Sequence, residues 1–406
     1  MKKIILLSLF LIGGLFLSQI LPHALNGDLY AQLKFGLDTL MFICLSFIMI
    51  NVGREFELDK SRWKSYISDY FIAMVTAALP WIMVTLYYIF LLGPEYYGSW
   101  EAWKENLLIG RFAAPTSAGI LFTMLAAAGL RHVWIYKKTQ VLAIFDDLDT
   151  ILLMIPLQIM LIGMKWQLFV IIGLIVFLLW FGWKKLSAYE SNQQWWVILL
   201  WAVFIVLVSN GVYLLTKNLF GHEGSIHIEV LLPAFVLGMV MKHHPDHHAT
   251  KTELRMTDII SYTFMMLVGL STPLFVQGDL SGLQGTVTSV TASQPMMSWG
   301  MIALNVLIVT ILSNIGKLFP VLCYRDRDIR ERLALSVGMF TRGEVGAGIL
   351  IIALGYNLGG PILIISLLSL VLNLILTGFF VVFVKKMAVK VYGDTALREG
   401  PQEELY

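Results

Sequence analysis

The sequence predicts an all-α polytopic membrane protein with about 12 transmembrane helices. Of its 406 residues, 58% are hydrophobic and only 14% are charged, whereas a soluble domain usually has about 25% charged residues. Apolar segments close to the length of about 20 residues that a helix needs to cross the bilayer core recur along the chain. Both observations indicate a chain that is surrounded by membrane lipids.

The composition also excludes several classes of function. The formal net charge is only +2, with no clustered basic face, so no nucleic-acid partner is expected. The sequence has no zinc-ligand spacing, phosphate-binding loop, GxSxG motif or dinucleotide fingerprint. We therefore expect a protein that is not an enzyme and that needs no cofactor. Cys44 and Cys323 lie in or beside distant apolar segments, which predicts buried thiols rather than a disulfide.

Twelve segments are apolar and long enough to be read as membrane spans. They cover residues 4–22, 35–53, 67–93, 105–128, 139–163, 166–182, 195–216, 226–242, 257–277, 297–322, 331–356 and 360–384. The first follows Lys2 and Lys3, as a signal peptide would. Its apolar run exceeds the usual length of about 7–15 residues, however, and no small-residue cleavage site follows, so we keep it as a span.

The distribution of basic residues tests this count, because cytoplasmic loops accumulate Lys and Arg. With a cytoplasmic N-terminus, the inside segments contain 22 of the 29 basic residues and the outside loops contain four. A wrong number of spans would scramble this alternation. The pattern therefore predicts twelve spans in a bacterial-type cytoplasmic membrane, with both termini in the cytoplasm.

Three basic residues fit no loop: Arg111, Lys317 and Arg342 lie inside spans 4, 10 and 11. Spans 4 and 11 also contain helix-breaking sequences, RFAAPTSAG and TRGEVGAG. A broken backbone at membrane depth survives only where protein or a water-filled cavity satisfies it, and paired interruptions typically mark a transporter's binding site. The alternative is an ordinary proline kink and a glycine packing face.

The two interrupted spans are seven helices apart and therefore run in opposite directions through the membrane. This arrangement predicts two inverted five-helix repeats with crossed broken helices 4 and 11. We assign residues 1–163 to the first repeat, 164–225 to connecting spans 6 and 7, and 226–390 to the second repeat. Residues 391–406 would form a short cytoplasmic tail.

Span 5 contains Asp146, Asp147 and Asp149 between apolar flanks. One Asp at the centre of a membrane helix costs about 2.5–3.5 kcal/mol, so three would cost roughly 8–10 kcal/mol if the costs added. A solvated face is excluded by the flanks, which leaves a functional site or a polar cluster kept for helix packing. Neighbours on a helix point about 100° apart, so Asp146 and Asp147 must face different partners.

Carboxylate oxygens suit a small hard cation, and a broken helix offers further oxygens. Here the hydroxyls of Thr116 and Ser117 lie in the interrupted part of span 4. Competition between a proton and a cation for one carboxylate is sufficient for exchange. The residues alone therefore indicate a site for a transported cation.

Six motifs in order connect the chain to a known family. They are LSFIMINVGREFELD at 45–59, APTSAG at 114–119, FDDLDTIL at 145–152, LPAFVLGMVM at 232–241, SNIGKLFP at 313–320 and FTRGEVGAG at 340–348. With these motifs on the predicted spans, nearly the whole chain resembles the monovalent cation:proton antiporter superfamily, specifically its Kef-like and Nap-like branch. The resemblance implies a transport core of spans 3–5 and 10–12 and a homodimer interface of spans 1, 2, 8 and 9.

The resemblance also implies roles for individual residues. Asp147 takes the position of the cation-binding carboxylate, and Thr116 that of a helix-4 cation ligand. Asp146 takes the position of the neighbour that pairs with a helix-10 lysine, here Lys317, for proton coupling. The Arg-Gly-Glu motif makes Arg342 and Glu344 supports of the core.

Three features depart from the family pattern. Asp149 is an additional carboxylate, for a second route or for modulation by pH. Arg111 is an unusual basic residue, for which we expect a pairing with Glu344 or, alternatively, with Asp149. Many Kef-like relatives have a cytosolic nucleotide-binding domain, and none is expected here because only about 20 residues follow residue 384.

The sequence leaves alternatives open. The leading function is antiport of Na⁺ (or Li⁺) against H⁺; the alternatives are K⁺/H⁺ antiport and Na⁺-coupled symport of organic anions on the same fold. The HHPDHH segment at His243–His248 is either a solvated cytoplasmic loop or a pH-sensing or metal-binding cluster.

Overall fold

A computed structural model shows how the spans fold. It describes residues 2–24, 27–55, 63–162, 166–185, 194–220, 230–241, 250–271, 290–291, 294, 297–355 and 358–399. The regular elements in these ranges are all helical. This confirms the all-α fold class for the described part of the chain.

The helices follow the predicted spans closely. In chain order they are α1 (Lys2–Ala24), α2 (Gly27–Glu55), α3 (Trp63–Leu92), α4 (Trp100–Gly110), α5 (Ala118–Ala127), α6 (Trp134–Ile162), α7 (Trp166–Lys184), α8 (Trp195–Phe220), α9 (Leu231–Val240), α10 (Lys251–Leu270), α11 (Trp299–Gly316), α12 (Pro320–Cys323), α13 (Ile329–Gly338), α14 (Glu344–Gly355) and α15 (Gly360–Glu399). Two short 3₁₀-helices cover Pro94–Tyr96 and Arg111–Ala113.

Six helical segments in the described ranges are long and apolar enough to cross a membrane. They are Gln32–Arg54, Trp63–Leu92, Trp100–Ala127, Trp195–Thr216, Trp299–Cys323 and Gly360–Gly393. Ile5–Leu21 and Ile172–Lys184 are apolar helices below that length. This supports a polytopic membrane protein, while the total of twelve spans and the inverted repeats stay predictions.

The chain forms two compact units that do not coincide with the two sequence halves. The first unit comprises Met1–Ala24, Lys64–Leu161 and Val268–Tyr406, and the second comprises Leu25–Trp63 and Ile162–Leu267. Spans 3–5 and 10–12, expected to form the transport core, fall in the first unit together with span 1. All the described candidate site residues belong to this first unit.

In the first unit, α11 and α15 pack through a row of polar contacts. The hydroxyls of Thr310 and Ser369 lie 2.9 Å apart, and Asn314 donates to the side chain of Asn373 at 3.0 Å. These contacts are four residues apart on each helix, which is one turn on the same face. The row fixes the position of α11 before the helix ends at Gly316.

In the second unit, α2 and α9 approach each other through a pair of glycines. A Cβ atom on Gly238 would lie 2.3 Å from the carbonyl oxygen of Ile50, and one on Gly53 would lie 2.3 Å from that of Phe235. Membrane helices use small residues in this way, because dispersion forces need backbones at close range. Gly238 lies in the LPAFVLGMVM motif, so a packing role explains its place there.

We predict that Gly238→Ala destabilises the protein although alanine is the better helix former. The new methyl group meets backbone atoms that cannot move independently, and such overpacking typically costs about 1–3 kcal/mol. Gly211→Ala on α8 is the matched control, because its Cβ has no atom within 4 Å. Thermal unfolding followed by tryptophan fluorescence should give a lower Tm for Gly238→Ala only. Equal melting temperatures for the two variants would contradict the close crossing.

Candidate functional site

The first interruption of the backbone separates α4 from α5. Helix α4 ends at Gly110, one turn of 3₁₀-helix follows over Arg111–Ala113, and α5 begins at Ala118. Ser117 is the N-cap of α5, and its hydroxyl accepts a hydrogen bond from the amide of Ile120. The hydroxyl thereby satisfies a donor that a helix start would otherwise leave without a partner.

Side chains of α3 satisfy carbonyl groups near the end of α4. The indole of Trp81 donates to the carbonyl of Leu107 at 2.7 Å, and the hydroxyl of Thr85 donates to that of Asn106 at 3.3 Å. Gly110 makes this approach possible, because a Cβ there would lie 2.6 Å from the Thr85 hydroxyl. The break thus persists at membrane depth because neighbouring protein replaces the missing backbone partners. Neither Trp81 nor Thr85 stands out in the sequence of an apolar helix.

The second interruption separates α13, which ends at Gly338, from α14, which begins at Glu344. The guanidinium of Arg342 lies inside it and is fully buried. Arg342 donates to the carbonyl of Met339 at 2.9 Å and to that of Ser313, on α11, at 3.3 Å. Arg342 therefore connects the second break to the last turn of α11.

The two interruptions cross at hydrogen-bonding distance. The amide of Ser117 donates to the carbonyl of Thr341 at 3.0 Å, and the hydroxyl of Thr116 donates to that of Met339 at 3.2 Å. Gly343 lies against Ser117, since a Cβ on it would be 2.7 Å from the Ser117 hydroxyl oxygen. Because the Thr116 hydroxyl acts as donor here, its oxygen lone pairs stay available for a cation.

Asp146 lies beside this crossing and accepts two hydrogen bonds on the same oxygen. Its Oδ2 lies 2.9 Å from Nζ of Lys317 and 2.8 Å from the amide nitrogen of Thr116. The side chains of Asp146 and Lys317 have no exposed surface. The structure thus brings together the carboxylate of α6, the lysine that follows α11 and the first broken helix.

The other two carboxylates of α6 are also buried. Asp147 is 5% exposed and Asp149 is 2% exposed. Tyr70 of α3 lies beside the Asp149 side chain, while the Oδ2 atom of Asp149 has no hydrogen-bond partner within the described part of the chain. Asp147, one residue after Asp146, points about 100° away from it around the helix.

Arg111 is fully buried and lies between α3 and α6. Its guanidinium stacks over the Trp81 ring, 4.6 Å from the centroid, and donates to the main-chain carbonyl of Asp149 at 3.0 Å. Such a cation–π contact offsets part of the cost of burying the charge. Trp81 therefore both caps α4 and supports Arg111.

Two of the sequence predictions lie outside what the structure describes. The backbone of Glu344 starts α14, but its side chain is not among the described ones, so its pairing with Arg111 stays a prediction. The His243–His248 segment lies entirely outside the described residues. Neither enters the geometry of the site.

The described part of the site balances its formal charges. Its three buried cations are Arg111, Lys317 and Arg342, and its three buried carboxylates are Asp146, Asp147 and Asp149. An uncompensated charge in a low-dielectric interior is expensive, so a balanced set is the arrangement expected to be stable. The arrival of a further cation would upset this balance unless another positive charge leaves.

Comparison with known proteins adds one finding. The family model described as the transmembrane domain of sodium/hydrogen exchangers matches residues 3–359. The matched region includes all of α1 to α14 except Lys2, and every candidate site residue named above. No curated protein matches the chain.

We predict that removing one partner of the Lys317–Asp146 pair destabilises the protein more than removing both. Lys317→Met leaves a buried carboxylate without its cation, which should lower the free energy of unfolding by about 3–5 kcal/mol. The double variant Asp146→Leu/Lys317→Met removes both charges and should be more stable than either single variant, although the Thr116 amide then lacks its acceptor.

Thermal unfolding in detergent, monitored by tryptophan fluorescence, measures the four states of this cycle. Lys137→Met, at an exposed position on α6, is the matched control and should change stability by less than about 0.5 kcal/mol. A double variant whose loss equals the sum of the single losses would show that the two charges do not interact.

Proposed function

The chain belongs to the sodium/hydrogen exchanger family of the cation:proton antiporter superfamily, and from this premise we propose that it exchanges Na⁺ or Li⁺ for H⁺. Members of this family are integral multi-pass membrane proteins that exchange cations for protons. They are transporters and not enzymes. The identity of the cation, the electrogenic mode and alternating access are the specific parts of the proposal.

The observation that carries the proposal is the position of Asp146. Its Oδ2 is shared by Lys317 and the Thr116 amide, and Asp147 is the next residue on α6. We assign cation binding to Asp147, with the Thr116 hydroxyl as a neutral ligand. Ser117 and Asp149 would be accessory groups, while Arg111, Arg342 and Glu344 would support the crossing.

Charge balance explains why such a site exchanges ions rather than only binding them. A cation that binds Asp147 adds a positive charge beside Lys317 and competes with it for Asp146. When Lys317 is neutral and Asp147 is ionised, the bound cation, Arg111 and Arg342 balance the three carboxylates. In the proton-loaded state Lys317 and the Asp147 carboxyl group each hold a proton, and the site carries one more positive charge. Two protons would then move against one cation in each cycle, which makes transport electrogenic.

The choice of Na⁺ or Li⁺ over K⁺ rests on the ligand set. Carboxylate and hydroxyl oxygens are hard ligands that suit small cations, and the lysine beside two carboxylates is the feature that we associate with Na⁺. K⁺/H⁺ antiport on the same fold is the alternative. Symport of an organic anion with Na⁺ would not require a buried lysine beside the carboxylates.

The proposal includes an architecture. We propose twelve spans in two inverted repeats, both termini in the cytoplasm of a bacterial-type cell, and a homodimer through spans 1, 2, 8 and 9. The transport core of spans 3–5 and 10–12, which contains all the site residues, would move to expose the site to each side in turn. No resident cofactor is involved, since the ions are the transported substrates.

We predict that Asp147→Asn abolishes cation-dependent proton movement in a protein that still folds, because asparagine keeps the size and loses the charge. Dissipation of a pH gradient in everted vesicles, followed with a fluorescent dye, should respond to Na⁺ and Li⁺ and little to K⁺ in the parental protein.

Thr116→Val removes one neutral ligand and should weaken the apparent affinity for the cation in the same assay, while some turnover remains.

The control is Asp258→Asn on α10, which removes a carboxylate far from α6 in the sequence and should leave exchange intact. Exchange near the parental rate in Asp147→Asn would contradict the assignment of this residue. A larger response to K⁺ than to Na⁺ would favour the K⁺/H⁺ alternative.

We predict that Lys317→Gln abolishes the transport current or leaves only electroneutral exchange. In proteoliposomes on a capacitive membrane sensor, a Na⁺ jump on the parental protein should give a transient current. Its sign should match net positive charge that moves with the protons. An unchanged current in folded Lys317→Gln protein would show that the lysine has only a structural role.

A further inference from the structure

A second cluster of buried and half-buried polar groups lies in the first unit, away from the carboxylates of α6. Asp69 of α3 is 2% exposed. Its Oδ2 lies 2.8 Å from Nζ of Lys138, and its Oδ1 accepts from Nζ of Lys138 at 3.1 Å and from the hydroxyl of Tyr324 at 2.8 Å. Nζ of Lys138 also lies over the Tyr324 ring, 5.2 Å from its centroid. We call these three residues the Asp69 clamp.

The clamp joins the same elements as the ion pair of the site. Lys138 lies on α6 eight residues before Asp146, which corresponds to about 12 Å along the helix. Tyr324 directly follows α12, seven residues after Lys317. The segment that contains Lys317 is thus attached to α6 at both of its ends, once through Asp146 and once through the clamp.

The α3 helix holds this segment at two points as well. Pro80 of α3 touches Gly316, where a Cβ atom would lie 2.5 Å from the proline nitrogen. Asp69, at the other contact, precedes Pro80 by eleven residues, or about 16 Å along a helix. Between these contacts the chain consists of turns and the four-residue helix α12. Local backbone hydrogen bonds, such as that from the Lys317 amide to the Asn314 carbonyl at 3.1 Å, shape this connection, and the contacts with α3 tie it to a neighbouring helix.

We propose that Asp69, Lys138 and Tyr324 are positioning residues, which set the height of Lys317 relative to Asp146 and thereby keep cation binding coupled to proton release. This inference rests on the proposed exchange function. At about 12 Å from the carboxylates of the site, as measured along α6, the clamp is too far to bind the transported ion. It acts by removing the freedom of the Gly316–Tyr324 connection.

The chemistry of the clamp suits a permanent link. Burial and the neighbouring Asp69 carboxylate raise the pKa of Tyr324, so the phenol stays protonated and donates its hydrogen bond throughout the working range of pH. Lys138 places two donor hydrogens on Asp69, one towards each oxygen. Both oxygens of Asp69 are therefore bound, whereas Oδ2 of Asp149 has no hydrogen-bond partner among the described residues.

Hydrogen–deuterium exchange of the full-length protein tests the clamp directly. Asp69→Asn presents an amide donor to Lys138, so amide exchange across residues 317–324 should become about tenfold faster. Tyr324→Phe removes a single hydrogen bond and should act in the same direction with a smaller effect, which covers the case in which Asp69→Asn folds poorly. Asp69→Glu keeps a carboxylate and should stay closer to the parental rate.

Glu105 provides the matched control. It is also a buried carboxylate of the first unit, but it accepts from the amides of Val290 and Thr291 and does not touch the clamp. Glu105→Gln should leave amide exchange at 317–324 within about twofold of the parental rate. If Glu105→Gln accelerated amide exchange at 317–324 as much as Asp69→Asn does, the effect of Asp69→Asn would reflect a general loss of stability. That result would overturn the proposal.

The transport arm uses the same variants. Asp69→Asn should lower the rate of Na⁺/H⁺ antiport at saturating Na⁺ by at least about threefold per folded molecule. The half-saturating Na⁺ concentration should change little, because no cation ligand is lost. Unchanged amide exchange at 317–324 in Asp69→Asn overturns the clamp. Absence of cation-driven proton movement in the parental protein contradicts the proposed function alone, since amide exchange needs no transport and still decides the clamp.

Discussion

The buried ion pair between Lys317 and Asp146 is the contact on which the rest of the site depends. Both side chains are withdrawn from solvent, and their nitrogen and oxygen lie 2.9 Å apart. In such an environment a charge without a compensating partner is costly. The pair therefore fixes how α6 lies against the end of α11, and through the shared Oδ2 it also fixes the first amide of the broken helix at Thr116.

The buried backbone groups of the broken helices likewise need partners. Their free carbonyl and amide groups find partners in side chains of α3, in the Ser117 cap and in each other, as in the hydrogen bond from the Ser117 amide to Thr341. An unwound segment is thus a set of backbone dipoles held at fixed positions by neighbours.

A substantial part of this arrangement follows from sequence alone. The cost of placing a polar group in a bilayer is a local property of each residue. The apolar spans avoid this cost. The interruptions around Pro115 and Gly343 and the three carboxylates of span 5 incur it, so all of them can be recognised in the sequence. The same cost singled out Arg111, Lys317 and Arg342 as basic residues that no loop explains. The helices lie close to the spans that the sequence predicts, because a span is defined by hydrophobicity and length.

What the sequence could not determine was which groups meet. Trp81, Thr85, Asp69 and Tyr324 are unremarkable in a list of helical residues, and their roles arise because α3 packs against α4, α6 and the end of α11. The partner of Arg111 among the described groups is a main-chain carbonyl and an aromatic face, which no pattern of charges can indicate. Burial costs are local and can be read from the chain, whereas the contacts that repay them depend on tertiary packing between residues far apart in sequence.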